Sequence, residues 1–297
     1  MVNVIDLNFQ GYSSDIAAFL VESGDGPILI ETGPYSTFST LEKGIQNLGY
    51  RVRDIRHILL THIHFDHAGA AWAFAKQGAK VYLHPVGARH MEDPFKLYES
   101  ARRIYKDKMD SLWGKMEPIK KDHLFQMPNK EVLKIGNRKF VAHHTPGHAT
   151  HHIAWQVEDI LFTGDVAGIR IKDGPVMPPC PPPDIDIEAW KKSINVIRGL
   201  KLSHIYLTHF AAFTDISSHL DQLEKCLDDW VQWIKIEWER GRTHEEITPE
   251  FQQYVANQLS DAGLSTGDIA KYEAANPSWM SVTGLIRYWH KKRNWDS

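Results

Sequence analysis

The chain has 297 residues, 42% of them apolar, long enough to bury a large core, so disorder is excluded as the default. Its 34 basic and 37 acidic residues leave a net charge of -3, without the basic excess of a surface built to hold nucleic acid. Two well-separated cysteines, Cys180 and Cys226, offer neither a disulfide framework nor a thiolate zinc site, and suggest free thiols in a reducing compartment.

The amino end, "MVNVIDLNFQGYSSD", lacks a basic lead followed by an apolar stretch. No window approaches the roughly 18 apolar residues that would span a bilayer. A cytoplasmic protein without membrane partners is expected. Short apolar or alternating runs then recur at "NVIDLNF", "IAAFLVE", "PILIET", "HILLT", "KVYLHP", "KFVAHH", "HIAWQV", "ILFTGD" and "HIYLTH", each closed by Gly, Pro, Asn, Asp or a polar cluster, and each reads as a strand. Helical patterns at 37 to 48, 69 to 77 and 187 to 199 lie between some of them, as in a layered α/β protein.

The stretch 86 to 122 breaks this rhythm with an expected helix over 95 to 113, and it reads as an insertion. The proline-rich loop 172 to 188, "KDGPVMPPCPPPDIDIE", cannot form a helix interior or a central strand. From 215 onward the texture is helical. Ile216, Leu220, Leu223, Leu227, Trp230, Ile234 and Trp238 recur at helical spacing, giving an apolar stripe that must be covered by the chain's own sheet or by a second copy. Further helices are expected near 249 to 260 and 277 to 292.

Seventeen histidines are the compositional anomaly. "LLTHIHFDHAGA", residues 59 to 70, puts His62, His64, Asp66 and His67 at the end of a buried strand. Imidazoles and carboxylates so concentrated suit a divalent metal, because without a cation they would waste desolvation. One turn supplies only part of a coordination shell. Partners follow at the ends of other apolar runs: His148 in "TPGHAT", Asp165 in "LFTGD" and His209 in "YLTHF".

Taken in order, HxHxDH, a His after Pro-Gly, an Asp after Gly and a His after a strand resemble the pattern of the metallo-β-lactamase-fold superfamily, over residues 1 to about 212. "SARRIYKDKMDSLWG", "PPPDIDIEAW" and "YLTHF" look like a bacterial and archaeal subgroup of these hydrolases. The resemblance implies an α/β fold, a four-layer αβ/βα sandwich, with a two-metal site at the sheet edges. The domain would span 1–212, with 86–122 a helical insertion near the active site and 213–297 a C-terminal helical extension packed on the core or on a partner subunit. Position by position, it implies that His62, His64 and His148 hold one metal, that Asp66, His67 and His209 hold the other, and that Asp165 bridges them. Relatives carry Asp where this chain has Glu31.

With no thiolate in the set, imidazole and carboxylate ligands suit two divalent ions, zinc first and iron or manganese next. The expected function is hydrolysis of a small ester-like substrate, a thioester or lactone ahead of a β-lactam or phosphodiester, with Asp66 moving the proton. Arg102 and Tyr105, three apart on one helical face, are the candidate substrate contacts. Alternatives from other classes are a mononuclear-iron oxygenase of the persulfide dioxygenase kind and a non-catalytic metal-binding scaffold. The partner expected is a small-molecule substrate, with a homodimer through the C-terminal helices. His84, His143, His144, His151 and His152 read as strand residues or as hydrogen-bond partners of ligands. Cys180 as a nucleophile is disfavoured, since no base lies near it in sequence.

Overall fold

The computed structural model describes residues 1 to 295, and side chains as far as Arg293. The chain forms two compact units. The first comprises residues 1–144, 151–164 and 202–212, and the second residues 145–150, 165–201 and 213–297.

The first unit is built on two six-stranded sheets. In one, β1 (Val2–Asp6), β2 (Ala17–Ser23), β3 (Gly26–Ile30), β4 (His57–Leu59), β5 (Lys80–Leu83) and β6 (Leu124–Gln126) lie side by side in chain order. β1 to β3 form an antiparallel meander, and β3 to β6 run parallel. The other sheet places β7 (Val132–Ile135), β8 (Arg138–His144), β9 (Ile153–Val157), β10 (Ile160–Phe162), β11 (His204–Leu207) and β12 (Ala211–Phe213) side by side, with β10 and β11 parallel. The strands read from the sequence are all present, and β6, β7 and β12 are additional.

Period-two alternation explains the sandwich, because successive side chains of β2 and β3 point to opposite faces. Phe19, Val21, Ile28 and Ile30 pack with Phe140, Trp155 and Phe162 of the second sheet. Leu20 and Leu29 join the core on the other face, with Leu41 and Ile45 of the helix Phe38–Asn47 and with Trp72 and Phe74. Sheet faces buried on both sides leave the loops at the strand ends to carry polar chemistry. The expected helix over 95 to 113 is two pieces, Phe95–Tyr105 and Met109–Leu112, separated where Lys106 adopts a left-handed φ of +49°.

In the second unit the long helix Ile216–Glu239 buries Leu220, Leu223, Leu227, Trp230 and Ile234 of the expected stripe. The cover is the chain itself. Phe251, on the helix His244–Asp261, meets Trp230 edge-on at 5.0 Å between ring centres, and the helix Ser278–Trp295 packs on both. His244–Asp261 starts five residues before the expected 249, because Thr243 and Glu246 cap each other's backbone N–H groups and Pro249 is accommodated within the helix. Among the described residues no helix is long and apolar enough to cross a membrane.

Candidate metal centre

In the first unit β4 feeds the segment 60–67, which ends in the short helix Phe65–Ala68. Three hydrogen bonds from two neighbouring strand ends, that of β3 and that of β9, pin it. The Thr61 N–H donates to Glu31 Oε1 (3.2 Å), the Ile153 N–H to the Thr61 carbonyl (2.7 Å), and the Thr32 N–H to the His67 carbonyl (2.8 Å). Glu31 itself holds a left-handed φ of +63° just after β3, a conformation that costs about 1–3 kcal/mol in a non-glycine residue and that its fixed carboxylate helps offset.

That loop brings four of the expected ligands together, and the end of β11 adds His209. His62 Nε2 lies 2.9 Å from His64 Nδ1. Asp66 Oδ2 lies 3.6 Å from His67 Nε2 and 3.4 Å from His209 Nε2. Asp66, His67 and His209 each offer a ligand atom within 4.8 Å of the others, close enough to share one ion. The far nitrogens are anchored. His67 Nδ1 faces Glu31 Oε1 at 3.4 Å, and His209 Nδ1 lies 2.7 Å from the Asp15 carbonyl. A carbonyl only accepts, so Nδ1 of His209 carries the proton and Nε2 presents a lone pair toward Asp66. Asp15 is fully buried beneath His209, and burial pushes its carboxyl up, against the opposing pull of the imidazole.

The second unit contributes the other two expected ligands. His148 Nε2 lies 3.4 Å from Asp165 Oδ2. His148 Nδ1 donates to the Pro179 carbonyl at 2.9 Å, which fixes the same tautomer as in His209. Its ring packs edge-on against Trp190, 5.7 Å between centres. Gly147 is needed beside it, because at φ +138° a Cβ would fall 2.3 Å from Trp190 Cα. The proline loop thus supplies a backbone acceptor for the imidazole of His148, one of the expected ligands. Its length and prolines were visible in the sequence, whereas this carbonyl was not.

The remaining histidines support or stand apart. His152 and His151 stack near His62, at 5.0 and 6.1 Å. His143 Nε2 pairs with Gln156 Oε1, and His144 Nε2 with the Met127 carbonyl. His84 accepts from the Val86 N–H at a helix start, and burial together with His144 and His151 pushes its pKa down to about 4. Cys180 is fully buried and burial pushes its thiol up, the reverse of what a nucleophile needs.

Tyr105 is half-buried on the inserted helix, 5.2 Å edge-on from Trp113, which in turn lies 6.0 Å from Phe65. Burial and then the charge of Asp66 push its phenol up. Arg102 is exposed on the same helix. Asp15 was not singled out from sequence. Its only signal was an acid closing the polar cluster "YSSD" before β2.

Residues 14–209 match the family model of the metallo-beta-lactamase superfamily. The chain belongs to this superfamily, whose members are metal-dependent hydrolases. It is 31% identical over 179 residues to the metallo-beta-lactamase fold-containing protein ST1585 of Sulfurisphaera tokodaii, an alignment covering 56% of this chain and 66% of that protein. The solved structure of ST1585 superimposes with a TM-score of 0.62 over 74% of this chain and 85% of that one, at 26% identity. A metallo-beta-lactamase family protein of Thermus thermophilus, TTHA1429, shares the fold over 98% of this chain and 94% of its own, with a TM-score of 0.68 and 17% identity. An atrochrysone carboxyl ACP thioesterase of Aspergillus fumigatus is 24% identical over 212 residues, covering 68% of this chain and 39% of that protein. The chain thus spans less than two thirds of the length of ST1585 and of this thioesterase in alignment.

Proposed function

We propose that this chain hydrolyses a small thioester or lactone with two divalent ions, held by His62, His64 and His148 on one side and by Asp66, His67 and His209 on the other, with Asp165 shared. The donor chemistry fits. The set is imidazole and carboxylate without thiolate, which suits zinc, then iron or manganese. Two of the imidazoles, His148 and His209, have their Nδ1 committed to backbone carbonyls. The observation that carries the reading is Asp66 Oδ2, with the Nε2 atoms of His67 and His209 both turned to it at 3.6 and 3.4 Å.

When bound, such ions supply a hydroxide near neutral pH and polarise a carbonyl oxygen. The side chain of Asp66 is 21% exposed, while those of His67 and His209 are buried. Its carboxylate is the group that takes the proton from attacking water and returns it to the leaving group. Tyr105 and Arg102, on one face of the inserted helix, contact the substrate in this reading. The thioesterase among the relatives favours a thioester over a phosphodiester.

The test is elemental analysis of the purified protein with a panel of thioester, lactone, β-lactam and phosphodiester substrates. Thioester or lactone turnover that disappears on chelation and returns with metal supports the proposal. About one iron per chain with oxygen consumption replaces it with an oxygenase, and metal-loaded protein inert on the whole panel replaces it with a scaffold.

A further inference from the structure

The second unit contains a pocket of about 300 Å³, open to solvent on one side where Gln252, Thr266 and Ala270 are exposed, and walled by Met177, Trp230, Val255, Leu259 and Ile269. An engineered apolar cavity of about 150 Å³ already binds benzene, and ligand pockets begin near about 300 Å³. The pocket has a visible cause. Where the helices His244–Asp261 and Thr266–Ala275 line it, they present the small side chains Ala256, Thr266 and Ala270, which do not fill the space between them.

Four of the polar side chains around it already have partners within the unit. Tyr272 donates its hydroxyl to the Pro175 carbonyl at 2.8 Å. Asn276 donates to the Pro178 carbonyl at 3.2 Å. Glu273 accepts from the Ser278 N–H at 3.1 Å and from its hydroxyl at 2.6 Å. Trp230 donates to Gln258 at 3.1 Å. Gln252 lies on the exposed side of its helix, where a ligand's polar head would emerge. The lining contains the acid Glu273 and no Lys, Arg or His, so a carboxylate head would find no counter-charge.

We infer that the helical unit binds the aliphatic chain of a neutral small molecule in this cavity, with an uncharged hydroxyl or amide head at the Gln252 rim. Apolar burial supplies the affinity, and the lack of a cation supplies the discrimination against fatty-acid anions. The site uses none of the proposed metal ligands, so it stands or falls separately from the hydrolase reading.

The experiment is isothermal titration calorimetry of the full-length protein with 1-octanol and, separately, with octanoate. Two variants fill the cavity: Ala256→Phe from the helix His244–Asp261, and Ala270→Phe from the more exposed Thr266–Ala275. The expected result is saturable octanol binding at one site, octanoate at least about tenfold weaker, and octanol affinity lowered at least about tenfold in whichever variants keep the wild-type circular dichroism. Ala270→Phe, at an exposed position, decides the matter if Ala256→Phe does not fold. The inference is overturned by an absence of saturable octanol binding, by octanoate binding as tightly as octanol, or by undiminished octanol binding in a folded variant.

Discussion

Gly147→Ala should cost both stability and metal, because the position combines a backbone constraint with a steric one. Gly147 is held at φ +138°, and an added Cβ would meet Trp190 Cα at 2.3 Å, Cβ at 2.4 Å and N at 2.5 Å. These are mostly backbone atoms of the helix Ile187–Arg198, which cannot swing aside as the end of a flexible side chain could. Restoring ordinary contact near 3.5 Å requires the segment 145–150 and the helix to part by about 1 Å. That shift strains the hydrogen bond from the Asp186 N–H to the Gly147 carbonyl, now 2.9 Å. Overpacking contributes about 1–3 kcal/mol and the φ about 1–3 kcal/mol. A total near 4 kcal/mol is a large share of a typical folding free energy of about 5–15 kcal/mol. At roughly 2 °C per kcal/mol for a chain of this size, Tm should fall by about 8 °C. The neighbouring His148 would be carried about 1 Å from its place, well beyond the tolerance of about 0.2 Å for metal–ligand distances. Thermal unfolding by circular dichroism and elemental analysis read the two effects. A Tm within about 2 °C of wild type, with unchanged metal content, would refute the reasoning.

Glu31→Gln keeps an oxygen for the Thr61 N–H but removes the charge facing His67 Nδ1, so metal affinity should drop about 10- to 100-fold while the fold survives. Competition with a chelator measures it, and unchanged affinity would deny Glu31 that role. Arg102→Ala should leave bound metal unchanged and lower turnover of the best panel ester about tenfold, whereas equal turnover removes Arg102 from the substrate contacts. His219, held neutral by burial with its pKa pushed down from 6.5 to about 4, gives an acid-sensitive term. Since the folded-state pKa lies below the unfolded one, the stability is present above pH 6.5 and is lost as pH falls toward 4, by roughly 2–3 kcal/mol. Urea unfolding at pH 7 and pH 4.5 should show a smaller acid loss in His219→Gln than in wild type, and equal losses would assign acid sensitivity elsewhere.

The strands with continuous apolar runs were legible because burial on both faces leaves little choice of residue, as in β4 with its fully buried Ile58 and Leu59. β6, β7 and β12 were not, being three or four residues long with mostly exposed or half-exposed side chains. The break at Lys106 carries no Gly or Pro to announce it, and the helix Thr266–Ala275 has too few large apolar residues to show a periodicity. At the site, imidazoles and carboxylates at strand ends could be read because their cost without a cation is high. What tunes them could not. The carbonyls of Asp15 and Pro179 are backbone groups, which any residue supplies, and only the fold selects them. The apolar stripe was visible, but its partner, the helix bearing Phe251, depended on packing geometry that spacing does not encode.

Elemental analysis of the wild-type protein beside His209→Ala and Asp165→Asn, each confirmed folded, tests the paired-ion centre most directly. The account expects about two divalent ions per wild-type chain and fewer in both variants. Wild-type protein that holds no metal, or variants that hold as much as the wild type, would contradict it.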